Sequence, residues 1–120
     1  MEDFTKGKIY KIINFTDKQI YVGSTVYSLS ERMMCHIFKY KWWKSGRTKQ
    51  YCSSFVLFEN RGFDNCKMVL LEIFSCTNRT ELSIREEFHR QKHIERVNKR
   101  ACYQTRIGAR KKHMNIYIEI

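Results

Sequence analysis

Two short stretches, KIYKIIN at residues 8–14 and QIYVGST at residues 19–25, decide the fold of this chain. Both are rich in β-branched and aromatic residues, which favour strands. The four residues between them, FTDK at 15–18, form a short and mostly polar connection. The pattern therefore predicts a β-hairpin. Each strand carries one tyrosine, Tyr10 on the first and Tyr21 on the second.

An amphipathic helix is expected directly after the hairpin. Apolar residues recur every three or four positions, which is the period of one helical face. These residues are Leu29, Met33, Ile37 and Tyr40. Ser28 or Ser30 is the expected N-terminal cap, and the helix should end near residues 45–46.

Three further elements complete the predicted domain. Residues 53–60 indicate a short second helix that Gly62 ends. The apolar run at residues 67–75 is too short for a surface helix and predicts a buried third strand. The sequence NRTE at 78–81 matches a capping box and should open the longest helix, which extends to about residue 97. The order β-β-α-α-β-α predicts an α/β fold of the α+β type, a three-stranded antiparallel sheet flanked by helices.

The length of the chain permits one domain and one site. The 120 residues, 42% of them hydrophobic, are enough for a real core and too few for two domains. We assign residues 1–105 to this domain. Residues 106–120 differ, because a basic run at 110–112 is followed by apolar residues that alternate with polar ones up to Ile120. This segment is either a basic C-terminal tail or an extra edge strand, and the sequence leaves both open.

The charge balance indicates an anionic partner. Lys and Arg number 23 against 12 Asp and Glu, which gives a formal net charge of +11. Nucleic acid is the first candidate. A membrane partner is not expected, because no window approaches the roughly 20 apolar residues of a spanning helix. The acidic and polar start at residues 1–3 does not match a signal peptide, and the five cysteines include no C-x-x-C pair, so we expect an intracellular protein, cytoplasmic or nuclear and not secreted.

The chemical residues of the hairpin and the helices follow a recognisable order. The chain carries KIY at 8–10, YVG at 21–23, Arg32 followed by His36, and Arg85 next to Glu86. Ten residues separate the two tyrosines, and Arg32 lies eleven residues after the second one. In order, spacing and element type, residues 7 to about 100 resemble the GIY-YIG nuclease family.

The resemblance has three departures. Lys8 replaces the glycine that opens the first family motif, with Gly7 just before it, and Val22 replaces the isoleucine of the second motif. Neither change removes a reactive group. The aromatic-rich stretch that follows the family's glutamate is EFHR at residues 87–90, which changes the expected packing around Glu86.

The resemblance implies a GIY-YIG nuclease fold and metal-dependent cleavage or nicking of DNA. It makes Tyr10 the general base, Tyr21 a hydrogen-bond partner of the attacking water or the phosphate, and Arg32 the group that stabilises the transition state. Glu86 would hold one divalent ion, Mg²⁺ or Mn²⁺. His36 belongs to the catalytic set as well, where it would assist protonation or bind phosphate. The supporting residues are Gly23, Ser24 and Asn98. Gly23 would allow close approach of the backbone to substrate, and Asn98 would brace the site through hydrogen bonds.

The residue types suit this chemistry on physical grounds. A magnesium site in proteins characteristically uses one or two carboxylates and leaves other positions to water and substrate phosphate, so Glu86 alone is enough. The planar guanidinium of Arg32 matches phosphate oxygens and keeps its proton. A tyrosine has an ordinary pKa of about 10, so Tyr10 can act as a base only if neighbouring charge or hydrogen bonds lower that value.

Basic residues outside these motifs predict a surface that contacts phosphates without recognising sequence. They are Lys39, Lys44, Arg47, Lys49, Lys99 and Arg100. Tyr40, Trp42 and Trp43 lie among them and either stack on bases or pack in the core, and we expect about half to pack in the core. No separate DNA-recognition module is visible, so sequence preference should be weak unless a homodimer or an accessory partner strengthens it.

Several alternatives remain open at the level of sequence. Glu87 competes with Glu86 as the functional carboxylate, and His36 has a structural hydrogen bond as its other role. Glu86, His89 and His93 share one helical stripe, which could bind a transition metal in a storage or regulatory protein. A non-catalytic nucleic-acid-binding domain would also explain the charge.

Overall fold

The predicted hairpin is present in the computed structural model, which describes residues 2–93 and 95–98. Short 3₁₀ turns precede the first and third strands. In chain order the strands and helices are β1 (Lys8–Asn14), β2 (Ile20–Thr25), α1 (Leu29–Lys44), α2 (Phe55–Glu59), β3 (Cys66–Ile73) and α3 (Arg79–Lys92). The predicted order β-β-α-α-β-α is therefore confirmed.

The three strands form an antiparallel sheet in the order β2-β1-β3, with β1 in the centre. Side chains alternate between the two faces of a strand. Ile9 of β1 therefore belongs to one face and Tyr10 to the other, and both are fully buried. The central strand needs apolar cover on both faces, and the helices supply it.

Two hydrophobic clusters lie on opposite faces of the sheet. The first cluster joins the sheet to α3 through Ile9, Ile20, Val22, Val26, Cys76 and Leu82. The second cluster joins it to α1 and α2 through Tyr10, Ile12, Tyr40, Phe55, Leu57 and Phe58. The expected α+β architecture, a three-stranded antiparallel sheet with flanking helices, is thus observed.

Helix α1 begins and ends where the sequence indicates. Ser28 is the cap, and its hydroxyl accepts a hydrogen bond from the backbone N–H of Glu31 while the Glu31 carboxylate accepts one from the backbone N–H of Ser28. This reciprocal pair satisfies two backbone N–H groups that the first turn leaves free. It selects Ser28 over Ser30 as the cap.

Helix α3 is shorter than predicted. Asn78 caps it as expected, but the helix ends at Lys92 and not near residue 97. Arg96 forms a bridge with Ile20, and the backbone N–H of Val97 donates to the carbonyl of Ile20 at 2.7 Å. The chain leaves the helix because the outer edge of β2 offers backbone hydrogen bonds that another helical turn would have to forgo.

The predicted burial of the third strand is wrong. No residue of β3 is buried, and Leu70 and Ile73 are 41% and 71% exposed. In the described part of the chain β3 is an edge strand, so its apolar run is covered only in part. Gly62 likewise does not end α2 directly, since Asn60 is the C-terminal cap and Gly62, at φ +84°, precedes the 3₁₀ turn at Phe63–Asn65.

Two further expectations concern the C-terminal segment and a membrane partner. Residues 106–120, predicted as a tail or an edge strand, lie outside the described residues. Within the described ranges, no helix has the length and apolar character that a membrane crossing requires.

Asn14 holds the closed end of the hairpin to α2. Its side-chain amide is buried and donates to the carbonyls of Leu57 at 2.8 Å and Asn60 at 2.9 Å. The side-chain oxygen accepts from the backbone N–H groups of Thr16 at 2.8 Å and Asp17 at 3.2 Å. One side chain thus orders the β1–β2 turn and the end of α2 together.

Replacing Asn14 with alanine should lower the free energy of unfolding by about 3 kcal/mol, because several buried backbone groups lose their partners at once. Urea denaturation followed by circular dichroism measures this change. Gln50→Ala, the loss of an exposed side-chain amide, is the matched control and should shift the unfolding free energy by less than about 0.5 kcal/mol. Equal stability of the two variants would refute this role of Asn14.

Candidate active site

A cavity of about 570 Å³ opens at the β2 edge of the sheet. Its walls come from β2, α1, the segment after α1, and α3. The lining residues are Tyr21, Arg32, His36, Lys39, Trp42, Thr48, Gln50, Tyr51, Cys52, Ser53, Phe55, Glu86, Arg90 and Asn98. Side chains from distant parts of the sequence therefore face one enclosed space.

Most of the sequence-predicted site residues meet at this cavity. Tyr21, Arg32, His36 and Glu86 all line it. Of the five residues predicted to be catalytic, only Tyr10 does not line it, because its side chain has no solvent exposure and lies behind the wall of the cavity. It still touches the wall, since its ring centroid is 6.5 Å from that of Tyr21 and 6.0 Å from that of His36.

The hydroxyl of Tyr10 belongs to a chain of buried hydrogen bonds. Arg32 Nε donates to Tyr10 Oη at 3.1 Å, and Tyr10 Oη lies 2.8 Å from His36 Nε2. On the other side of the imidazole, His36 Nδ1 lies 2.9 Å from Ser54 Oγ. Ser54 Oγ in turn donates to Cys52 Sγ at 3.3 Å. The chain links β1, α1 and the start of α2.

The donors in this chain can be assigned from its far end. Ser54 has one hydroxyl proton and gives it to Cys52, so Ser54 Oγ accepts from His36 Nδ1–H. A neutral imidazole then has an unprotonated Nε2, which accepts the proton of Tyr10. Burial, with the positive charges of Arg32 and Lys39, lowers the pKa of His36 to about 3, so the ring is neutral near pH 7.

This arrangement gives His36 a structural bond on each ring nitrogen. The side chain is only 2% exposed, and both nitrogens are engaged within the protein. The hydrogen bonds expected for a structural role of His36 are therefore present, and His36 also lines the cavity. His36 holds Tyr10 on one side and Ser54 on the other.

The pKa of Tyr10 is not lowered in the way that general-base action by this residue would require. Burial raises the pKa of Tyr10 above its ordinary value, and the hydrogen bond and positive charge of Arg32 only partly offset that effect. Burial and the neighbouring Tyr10 likewise raise the pKa of Tyr21. Both phenols are therefore protonated at neutral pH and act as hydrogen-bond donors.

Gly23 makes room for Tyr10. A Cβ atom at position 23 would lie 2.6 Å from Tyr10 Oη and 2.7 Å from its Cζ, which is closer than real contacts allow. Tyr10 and Gly23 are direct partners across β1 and β2, so the phenol crosses over the glycine. The absent side chain at position 23 thus accommodates protein, which differs from the expected approach of the backbone to substrate.

Glu86 and Glu87 have separate environments. Ser24 Oγ donates a hydrogen bond to Glu86 Oε1, which ties α3 to β2 at the cavity wall. Glu87 is fully buried, pairs with Arg90 and accepts a hydrogen bond from Gln91. Of the two neighbouring carboxylates, Glu86 is therefore the one that faces the cavity.

The donor set at Glu86 fits a magnesium-type ion. One carboxylate and the neighbouring hydroxyl of Ser24 are hard oxygen ligands, and substrate phosphate and water would supply the other positions. Among residues 2–93 and 95–98, no group of three or more His, Cys, Asp or Glu lies in an arrangement that could hold a metal.

The side chains of Glu86, His89 and His93, which share one predicted helical stripe, each bind a different partner. His89 Nε2 lies 2.8 Å from Glu72 Oε1, on β3. His93 Nδ1 lies 2.9 Å from the carbonyl of His89. Arg85 also binds Glu72, with Nε at 2.6 Å, so this side of α3 attaches the helix to β3. The alternative of a transition-metal stripe has no support in this geometry.

Asn98 completes the outer edge of β2. Its side-chain Nδ2 donates to the carbonyl of Val22 at 2.6 Å, and its Oδ1 accepts from the N–H of Val22 at 3.2 Å. The side-chain amide thereby imitates a neighbouring strand between Tyr21 and Gly23. Asn98 was placed at the end of a helix by sequence, whereas it lies in the segment that follows α3.

The predicted phosphate-contacting residues fall into three groups. Lys39 is exposed and lines the cavity, and Arg47 and Lys49 are exposed in the segment after α1. Lys44 instead forms an ion pair with Glu59 at 2.9 Å. Residues 99 and 100, which are Lys99 and Arg100, lie outside the described part of the chain.

Sequence reasoning missed two residues that line the cavity, Cys52 and Arg90, and the buried Ser54 behind its wall. Ser54 and Cys52 extend the hydrogen-bond chain from His36, and Arg90 joins Glu87 to the carbonyl of Asn98. No spacing rule identifies Ser54, because its partner comes from another helix. The pair of Glu87 and Arg90 was visible as an i, i+3 pair of opposite charge in the stretch that departs from the family pattern.

The direction of the hydrogen-bond chain predicts an uncommon state of His36. We expect ¹⁵N NMR of labelled histidine to show the neutral tautomer protonated on Nδ1. Ser54→Ala should lower the unfolding free energy by about 1–3 kcal/mol, because a buried N–H loses its acceptor. Ser53→Ala is the matched control and should change stability by less than about 0.5 kcal/mol. An Nε2-protonated ring in the native protein would contradict the assignment.

The lowered pKa of His36 also predicts a dependence of stability on pH. The unfolded chain binds a proton at residue 36 below its ordinary pKa of about 6.5, whereas the folded protein binds it only near pH 3. The contribution is fully present above about pH 6.5 and is lost as the pH falls, with a slope of up to about 1.4 kcal/mol per pH unit. His36→Gln should lack this component, so the stability difference from wild type should shrink between pH 6.5 and 4. A pH-independent difference would contradict the pKa.

Comparison of this chain with protein-family models, with curated proteins and with solved structures finds no match. The geometry of the cavity and the order of its residues are therefore the basis for a functional conclusion.

Proposed function

We propose that this protein is a metal-dependent DNA endonuclease of the GIY-YIG type, which nicks or cuts the phosphodiester backbone in the cavity at the β2 edge. One observation carries the proposal. Tyr21 from β2, Arg32 from α1 and Glu86 from α3 face the same cavity, although they are far apart in sequence. Phosphodiester hydrolysis needs an oriented water, positive charge at the phosphate and a metal ligand, and these three residues supply those groups.

Arg32 is assigned to the scissile phosphate. Its Nε is bonded to the fixed hydroxyl of Tyr10, so the orientation of the guanidinium plane is set before substrate arrives. The terminal nitrogens then donate to the phosphate oxygens that gain charge in the transition state. A lysine at this position could not keep both contacts.

Glu86 is assigned to the divalent ion. Bound Mg²⁺ or Mn²⁺ would lower the pKa of coordinated water and neutralise charge on the phosphate. The hydrogen bond from Ser24 fixes one oxygen of Glu86, so the carboxylate reaches the cavity in a defined orientation. Ser24 is therefore a positioning residue for Glu86.

The two tyrosines receive different roles. Tyr21 lines the cavity, so its hydroxyl is the one placed to hydrogen-bond the attacking water or the phosphate. Tyr10 is fully buried and holds Arg32 and His36, so we assign it to positioning and no longer to proton abstraction. The raised pKa of both phenols supports donation of hydrogen bonds over action as a free base.

The exposed cations beside the cavity are assigned to contacts with the phosphates of the DNA backbone. Lys39 lies at the cavity, and Arg47 and Lys49 follow in the next segment. Such contacts position DNA without recognising its sequence, so we expect weak sequence preference unless a second copy or a partner adds recognition.

Glu86→Gln and Tyr21→Phe test the proposal on supercoiled plasmid with Mg²⁺ or Mn²⁺. We expect wild type to nick the plasmid only with a divalent ion. Glu86→Gln should lose at least about 100-fold in rate, because the ion loses its charged ligand, and Tyr21→Phe should lose roughly tenfold or more. The unfolding free energy and the DNA affinity without metal should remain near wild type.

Glu95→Gln is the control for Glu86→Gln, because it makes the same change at an exposed residue after α3. It should cut at the wild-type rate. Equal cutting by Glu86→Gln would reject the metal assignment. Binding of duplex, nicked and branched DNA without any cutting would replace the proposal with a non-catalytic DNA-binding domain.

A further inference from the structure

We propose that the cavity accepts DNA with unpaired bases, and that Trp42, stacked on Phe38, is the surface on which one such base stacks. The proposal rests on the proposed function and names its substrate class, namely a single strand joined to a duplex, as in a flap or a branch.

Trp42 and Phe38 are aromatic side chains that are partly exposed to solvent. They lie one helical turn apart on α1, with ring centroids 6.5 Å apart and an interplanar angle of 19°. Trp42 is 44% exposed and Phe38 is 46% exposed. Two nearly parallel rings hold each other in one orientation, so a flat ligand meets a surface that is already ordered.

The other aromatic residues of this part of α1 have a different environment. Tyr40 is 9% exposed, and Trp43 packs among Tyr51 and Phe55, with ring centroids 5.1 Å and 5.4 Å away. The expectation that about half of these aromatics pack in the core is therefore confirmed. Trp42 is the tryptophan that remains available to a ligand.

The stacking surface is continuous with the candidate active site. Trp42 lines the same cavity as Arg32 and Glu86. Ten residues of α1 separate Trp42 from Arg32, which is about 15 Å along the helix axis. A base that rests on this ring would therefore belong to a nucleotide further along the strand whose phosphate is assigned to Arg32. The chemistry and the stacking surface share one substrate strand.

Basic residues lie on both sides of Trp42 in the chain. Lys39 lies in the same cavity wall. The backbone N–H of Arg47 donates to the carbonyl of Trp42 at 2.9 Å, which folds the basic segment after α1 back onto the helix. Single-stranded nucleic acids are bound by this combination of cations for the backbone and aromatic rings for the bases.

An aromatic face selects unpaired bases on physical grounds. In a duplex the faces of the bases are already stacked on one another, and only their edges and the backbone are accessible. A base can cover Trp42 only when it is free of its stack, which costs least at a single strand or a branch. This preference is for structure and tolerates any sequence.

Fluorescence separates the two tryptophans of the chain. Trp43→Phe leaves Trp42 as the only tryptophan, and Trp42→Phe leaves Trp43 as the matched control. Each is titrated with an oligothymidylate in EDTA, so that no cutting occurs. We expect strong quenching of Trp42 and little change for Trp43. Equal response of the two, or none, would overturn the proposal.

Affinity measurements complete the test. Trp42→Ala should weaken binding of a flapped duplex about tenfold, the size expected for one lost base stack, and should change binding of the plain duplex less than twofold. Equal weakening for both substrates would contradict the proposal. Three exposed side chains form a stripe on α1, namely Met34, Phe38 and Trp42. If the protein is a dimer that Trp42→Ala dissociates, this stripe binds a second copy of the chain and the stacking proposal is overturned.

The binding results are independent of the proposed activity. Quenching and a flap preference in a protein that cuts no DNA would reject the nuclease while supporting the stacking surface. Cutting of plain duplex and flap at equal rates, without quenching of Trp42, would support the nuclease and reject the stacking surface.

Discussion

The buried hydroxyl of Tyr10 is the constraint on which the site depends. A hydroxyl with no access to water must find its hydrogen bonds inside the protein, and Tyr10 finds them in Arg32 and His36 of α1. Both partners lie on one face of the helix, so satisfying the phenol sets the rotation of α1 against the sheet. The same contact leaves Arg32 facing the cavity. The space for the phenol exists only because residue 23, across the strand, is glycine.

The position of the cavity follows from the order of the strands. β1 is central and is covered on both faces, whereas β2 lies at an edge. At an edge, residues from the two faces of the sheet can meet around the strand. Tyr21 belongs to the side of α1, and Ser24 reaches Glu86 on α3. A carboxylate and a guanidinium from opposite layers thus share one opening without either being buried in the core.

Much of the fold could be predicted from local patterns. Strand β1 and the start of β2 within one residue follow from their β-branched and aromatic residues, and the cap of α1 is one of the two serines that the pattern indicates. The end of α3 could not be predicted, because it depends on bonds between residues 96–97 and Ile20, which are distant in sequence. The exposure of Leu70 could not be predicted either, since apolar composition does not distinguish an edge strand from a central one.

The sequence indicated which residues belong to the candidate site, but it did not indicate which of them are buried and which face the cavity. Order and spacing identified Tyr21, Arg32 and Glu86, which face one cavity. They could not distinguish Tyr21, which lines the cavity, from the fully buried Tyr10, because both lie in similar strand motifs. Burial decides between them, and it depends on how α1 covers the sheet. The bonds of Ser54 and Asn98 depend on tertiary contacts and leave no local pattern.

The amide of Asn98 has a consequence for how copies of the protein meet. A strand with unused backbone groups along its outer side recruits strands from other molecules, which leads to aggregation. On β2 the N–H and carbonyl of Val22 are already occupied by this one side chain, and the carbonyl of Ile20 by Val97. A foreign strand would first have to displace both residues. These contacts therefore oppose pairing of β2 with a strand of another copy, which would cover the mouth of the cavity.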